Sequence, residues 1–191
     1  MSQEVFYLST LLPRQYPSDA ETLFTALAAH DVPYALLDGT RDIWLRDFMP
    51  VRTGSGKLVS FRYEPSYLKN DPDLRTDGMA RFLDDRTVLC NRPLSSCGFE
   101  QQVKRAVQDC GLDAVDFPFV PTGRVSAVGC YLNYLETERV VFLPVFGIEQ
   151  DAEAETFARQ LFSKEIVPVN IREIARQGGC LNCISWEGPH A

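Results

Sequence analysis

The chain has 191 residues, enough for one domain that buries roughly 70% of the surface its unfolded form would expose. With 45% hydrophobic and 24% charged residues, 12 glycines and 12 prolines, it is neither disordered nor fibrous. A net charge of −7 with dispersed Lys and Arg excludes the basic stripe that nucleic acid requires, so no nucleic-acid partner is expected.

In chain order, VFYLST reads as a strand, PSDAETLFTALAAH as an amphipathic helix and PYALLD as a second strand. Ser18 and Glu21 are spaced as a capping box, and Ala20, Leu23, Phe24 and Leu27 form one apolar stripe. DIWLRDFMPVRTGSGKLVSFRYEPSYL reads as a strand pair turning at GSG. KNDPDLRTD, residues 69–77, is polar, contains a proline and reads as a linker or seam. TVLC, a helix in SCGFEQQVKRAVQDCG and the strand LDAVDFPFV repeat the first plan. Phe99, Val103, Ala106, Val107 and Cys110 share one face of that helix, and Gly111 stops it. AVGCYLNYLETERVVFLPVFG reads as a second strand pair, turning at ETE, with Tyr131 and Asn133 read as core of an aromatic-aliphatic strand. DAEAETFARQLF, capped by Asp151 and facing inward with Ala154, Phe157, Ala158, Leu161 and Phe162, then leads to the strand IVPVNI. Three strand–helix–strand copies predict an α/β protein, a single domain over 1–191, with function on its loops.

The longest apolar run, VVFLPVFGI, is too short to cross a bilayer, and MSQEVFYLST lacks the basic leader and cleavage site of a signal peptide. No membrane partner is expected, the expected location is the cytoplasm, and the six cysteines are expected as thiols.

GGCLNCISW, residues 178–186, sets Cys180 and Cys183 three positions apart, a spacing that admits three chemistries. Zinc takes four ligands, and beside these thiols the chain offers only His30 and His190, so no metal is expected. A thioredoxin-like redox pair opens a helix in an early βαβ unit, whereas this motif follows two glycines late in the chain. The remaining choice is a nucleophile on a glycine-flexed loop or two small buried hydrophobes.

The Arg–Asp pair after an aromatic residue in DIWLRDFMPV, with FRYEPSYL, GMARFLDDRTVL, CYLNYLETERVVFLPVFG and GGCLNCISW in that order, resembles the agmatine deiminase and bacterial peptidylarginine deiminase family over nearly the whole chain. The resemblance implies the pentein fold, an α/β propeller of five ββαβ units, of which about three helical units are present here. It also implies hydrolysis of a guanidinium to a ureido group with loss of ammonia, on agmatine or a peptide arginine, with no cofactor. Matched to the family's motifs, Cys183 is the nucleophile and Asp47 and Asp77 are carboxylates that hold the guanidinium. Trp44 and Asn182 are then substrate-side residues, Tyr131 and Asn133 lie in the CYLNYL block where the family places substrate-side loops, and Cys180 has no counterpart role. The chemistry suits these residue types, since a planar cation with paired N–H donors is held by carboxylates and its resonance-stabilised carbon needs a thiolate attacker.

Family members carry G-H-x-D-G-M-x-R-F, whose His is the general acid and base, whereas LRTDGMARFL places Arg75 there. Nor is the family's long central segment with its E/D-G-G motif found between Leu68 and Asp77. A shortened member that binds a cationic guanidine with weak or no turnover is therefore expected. A working hydrolase would need another base, for which His190 is the candidate. Loss of units from a ring exposes strand edges and apolar surface, so homo-oligomers are expected.

Overall fold

A computed structural model of the chain describes residues 5–52, 57–59, 80–94, 98–120 and 126–188. The GSG turn, the seam at 69–77 with Arg75 and Asp77, and His190 lie outside the described residues.

Three strand–helix–strand units recur. β1 (Val5–Ser9) leads through α1 (Leu11–Gln15) and α2 (Pro17–Ala29) to β2 (Tyr34–Leu37), which pairs with it in parallel. β6 (Thr87–Asn91), α4 (Phe99–Asp109) and β7 (Asp113–Phe117) make the second, with Leu89 opposite Val115. β9 (Val140–Val145), α5 (Asp151–Leu161) and β10 (Glu165–Asn170) make the third, with Phe142 opposite Val167. Parallel neighbours cannot be joined by a hairpin, and a helix crossing one face supplies the longer connection.

Each unit gains a third strand, antiparallel, on the free edge of its first strand. β5 (Ala80–Phe82) lies on β6, and β8 (Leu135–Glu136) lies on β9. In the first sheet that place is taken by β11 (Ser185–Gly188), with Val5 opposite Gly188, so this sheet is assembled from both ends of the chain. A further short pair, β3 (Val51–Arg52) with β4 (Leu58–Val59), brackets the GSG segment. One hydrophobic cluster runs through Leu8, Leu23, Leu27, Phe142, Leu143, Ala158 and Ile184, joining the first and third sheets to the C-terminal segment.

Several local expectations are corrected. Ser18 does not cap α2: Tyr16 is its N-cap and Pro17 its first residue, where the missing N–H leaves nothing unsatisfied. Asp151 does not cap α5, which starts from Gln150. Its carboxylate instead accepts the N–H groups of Phe146 and Ile148, each at 3.0 Å, and the Tyr131 hydroxyl at 2.9 Å, fixing the loop ahead of the helix. The segment before Asp47 is not a strand: Leu45–Phe48 turns as the short helix α3, because burying both Ile43 and Leu45 is achieved by a turn as well as by alternation. Residues 130–133 form turns, with Cys130 N–H donating to Ala127 and Asn133 N–H donating to Cys130. The ladder on that side is only β8, and the hairpin reverses at Thr137, whose hydroxyl accepts the Val140 N–H at 2.8 Å. Gly111, at φ +76°, ends α4 as expected.

Candidate functional site

The CxxC motif opens a helix after all. Residues Leu181–Ile184 form the single turn α7 with Cys180 as N-cap, closed by Ile184 N–H donating to the Cys180 carbonyl at 3.2 Å. α7 runs directly into β11, so the β1–β11 ladder sets where Cys183 stands. The approach to α7 is also fixed. Gly178 adopts φ +102°, and a Cβ on Gly179 would come within 2.4 Å of the Trp44 ring, so only glycine lets that ring lie against the backbone.

α3 packs against α7 and brings the Arg–Asp pair with it. Arg46 Nε donates to the Asn182 carbonyl at 3.4 Å, and Trp186 Nε1 donates to Pro50 O at 2.8 Å, tying the chain after α3 to β11. Asp47 sits on α3 with its N–H donating to Trp44 O at 3.2 Å. Cys183, Asp47, Trp44 and Asn182 are thus gathered at one junction of α3 and α7. Asp77, Arg75 and His190 lie outside the described residues. His30 is elsewhere: it ends α2, with Nδ1 2.8 Å from Ala26 O, Nε2 3.4 Å from Glu165 and its ring edge against Phe142.

The centre of the junction is Asn133. Its Oδ1 accepts two backbone N–H groups, from Asn182 at 3.0 Å and Cys183 at 3.2 Å, and its Nδ2 lies 2.9 Å from Cys183 Sγ. Two backbone donors require an oxygen, so the amide orientation follows from the network and the NH2 must face the sulfur. A donor aimed at sulfur favours the thiolate over the thiol. Cys183 itself is 6% exposed, within reach of a small ligand yet largely dry.

Two further thiols lie beside it. Burial pushes the Cys130 thiol up to about 12, and the nearby Cys183 adds to the rise. Burial likewise holds Cys180 well above the usual thiol range, reinforced by Cys130 and Cys183, and its Sγ donates to Ala127 O at 3.6 Å. Both stay protonated at neutral pH and are poor nucleophiles. Among the described residues no group of three or more His, Cys, Asp or Glu is arranged to hold a metal, and no helix is long and apolar enough to cross a membrane.

Asn133, read from the sequence as strand core, is indeed buried but belongs to the site. Its signal was available: it is the one amide in the apolar run CYLNYL, and a buried amide has to find partners.

The family model for Porphyromonas-type peptidyl-arginine deiminase matches residues 64–189. Among curated relatives, agmatine deiminase of Pseudomonas aeruginosa (strain LESB58) is 27% identical over 129 residues, 66% of this chain and 34% of the relative. Agmatine deiminase of Stutzerimonas stutzeri (strain A1501) is 32% identical over 80 residues, 41% of this chain and 22% of the relative. The matched stretches thus span at most 34% of these relatives' length. Among solved structures, C. jejuni agmatine deiminase superposes with a TM-score of 0.66 at 15% identity, covering 100% of this chain and 94% of that one, a likeness of fold.

Proposed function

The chain belongs to the Porphyromonas-type peptidyl-arginine deiminase family, and from that premise we propose a shortened guanidine-modifying protein that binds a guanidinium at the α3–α7 junction and turns it over weakly or not at all. The observation that carries the reading is the Asn133 amide, locked by two backbone donors and aimed at Cys183 Sγ at 2.9 Å. Such a contact holds the sulfur in one place and favours its ionised form.

In the reaction the residues suit, the Cys183 thiolate adds to the central guanidinium carbon while Asp47 holds the paired N–H donors by charge-assisted bonds. Ammonia leaves only if a proton reaches it, and water then releases the ureido product from sulfur. Arg75 stands where the family's acid is expected, and a guanidinium does not give up a proton near neutral pH. Binding therefore outlasts turnover. Asp77 is the proposed second carboxylate, agmatine or a peptide arginine the proposed ligand, and the cytoplasm the proposed location. The mixed α/β sheets support a pentein-type propeller retaining about three of five ββαβ units in one domain, with the seam at 69–77 and with homo-oligomers covering the exposed edges.

The test measures ammonia and ureido product from agmatine and from an arginine peptide, with calorimetric binding alongside, using the 191-residue protein. Product no higher than in Cys183→Ala is expected, with agmatine binding retained and weakened roughly tenfold or more in Asp47→Asn. Turnover lost on Cys183→Ala would overturn the impaired reading, and absence of binding to either ligand would overturn the guanidine reading.

A further inference from the structure

The reaction above uses one thiol of the cluster around Asn133 and leaves Cys180 idle. Cys180 is the N-cap of α7 and Cys183 its third residue, joined through the 3.2 Å Ile184-to-Cys180 bond that closes the turn. Residues three apart on a helical turn have Cα atoms about 5 Å from each other. That separation lies inside the roughly 4.4–6.8 Å that a disulfide spans. α7 is one turn long, and Cys180, at φ −131° and ψ −153°, is already extended, so its side chain can swing toward Cys183 without unwinding a longer helix. Cys180 Sγ is held by a weak 3.6 Å sulfur contact to Ala127 O and by its packing in the core.

We propose that Cys180 and Cys183 form a peroxide-oxidisable dithiol, closing to a disulfide that takes Cys183 out of use and protects it from irreversible oxidation. The Cys183 thiolate attacks one oxygen of hydrogen peroxide, the O–O bond breaks, and Cys183 becomes a sulfenic acid as hydroxide departs. Cys180 sulfur then attacks the Cys183 sulfur, the S–O bond breaks, and the Cys180 proton leaves with the hydroxyl as water. Two thiols give up two electrons and two protons, and peroxide is reduced to two waters. Burial is the main cause that keeps Cys180 protonated, so its thiol proton is given up in the same step as the S–O bond breaks, and a neutral sulfenic acid at Cys183 lifts only the smallest of the opposing causes. Cys130 is the rival partner: it lies close enough to act on both thiols but stands on the turn that carries Asn133, not on α7.

The inference does not depend on turnover, and its readout is mass. The 191-residue protein is treated with increasing hydrogen peroxide, its remaining thiols are alkylated, and it is cut with trypsin. No Lys or Arg follows Arg176, so both cysteines fall in the fragment 177–191, while Cys130 falls in 125–139. The expected product is fragment 177–191 unalkylated and about 2 Da lighter, regaining two alkylatable thiols after dithiothreitol. In Cys180→Ser the same dose should carry Cys183 to sulfinic and sulfonic acids, cutting its dithiothreitol-recoverable fraction by about fivefold or more. A cross-link between 125–139 and 177–191 would transfer the role to Cys130 and overturn the assignment. So would overoxidation of Cys183 in the unaltered protein, full alkylation after peroxide, or recovery in Cys180→Ser equal to that of the parent. Should Cys180→Ser fail to fold, the mass of fragment 177–191 from the parent decides alone.

Discussion

In the third sheet, β9 is buried from Val140 to Pro144, and α5 crosses it with Ala154 and Ala158 fully buried. In the second sheet, β6 is equally buried from Val88 to Asn91, yet α4 stands over a cavity of ≈ 370 Å³ lined by Phe82, Val88, Val103, Val107, Cys110 and Leu112. Both follow one plan, with a short antiparallel strand, a parallel pair and a crossing helix. The difference shows at the helix face, where α5 buries Ala154 and Ala158 while Val103, Ala106 and Val107 of α4 line open space. On the open side β5 is three residues long, with Phe82 62% exposed. Sharing a connectivity therefore does not confer equal burial of the crossing helix, and α7, which carries Cys183, joins the core through Leu181 and Ile184.

The largest expected contrast is between truncations. Phe142→Ala in β9 should cost about 3–5 kcal/mol, because a fully enclosed ring leaves a hole its neighbours cannot fill, whereas Val107→Ala in α4 only widens an existing cavity and should cost about 1 kcal/mol or less. Urea midpoints of the two variants measure this, and equal losses would break the comparison. Additions should run the other way. Ala158→Leu overpacks α5 at a cost of about 1–3 kcal/mol, while Val107→Leu fills space and should be neutral or stabilising by up to about 1 kcal/mol.

The third contrast is in pH. Burial raises the Cys130 thiol and the Tyr134 phenol, each to about 12, from 9.0 and 10.0. The folded chain thus keeps protons that the unfolded chain releases, so this stability is whole below pH 9.0 and is lost as pH rises toward about 12. The slope is roughly 1.4 kcal/mol per pH unit for each group once its unfolded form ionises. Tyr134 immediately precedes β8, Cys130 bridges to Phe119 beyond β7, and burial also raises the Cys90 thiol in β6, so alkali weakens the second and third units alike. Denaturant midpoints at pH 8 and pH 10.5 should fall accordingly, and Cys130→Ala should remove part of the fall. A flat profile would mean that solvent reaches these groups.

Much of this arrangement could be read from residues alone. The apolar stripes of α2, α4 and α5 name the helices, because period 3.6 is a property of a local segment. Cys183 and Asp47 are picked out of the CxxC and Arg–Asp motifs by the family resemblance, since spacing alone leaves the CxxC open to several chemistries. Other features were hidden because long-range packing decides them. Ile43 and Leu45 alternate as a strand would, and only the need to set Asp47 beside α7 makes that segment turn. Ser18 and Asp151 have capping chemistry, but Pro17 already starts one helix, and at the other the open N–H groups of Phe146 and Ile148 outcompete the helix for the carboxylate. Asn133 lies 50 residues from Cys183, so no spacing rule joins them. Nor does any local pattern report that β11 completes the sheet begun by β1.

That last pairing has a consequence for how the protein is made. β1 and α2 precede the second and third helical units in the chain, but the antiparallel neighbour of β1 is residues 185–188, so that edge of the first sheet stays uncovered until those residues have followed. Closing so long a loop is an entropic barrier that contacts inside the three helical units cannot lower. The turn bearing Cys183 leads straight into β11, so its place is set only when that long loop has closed.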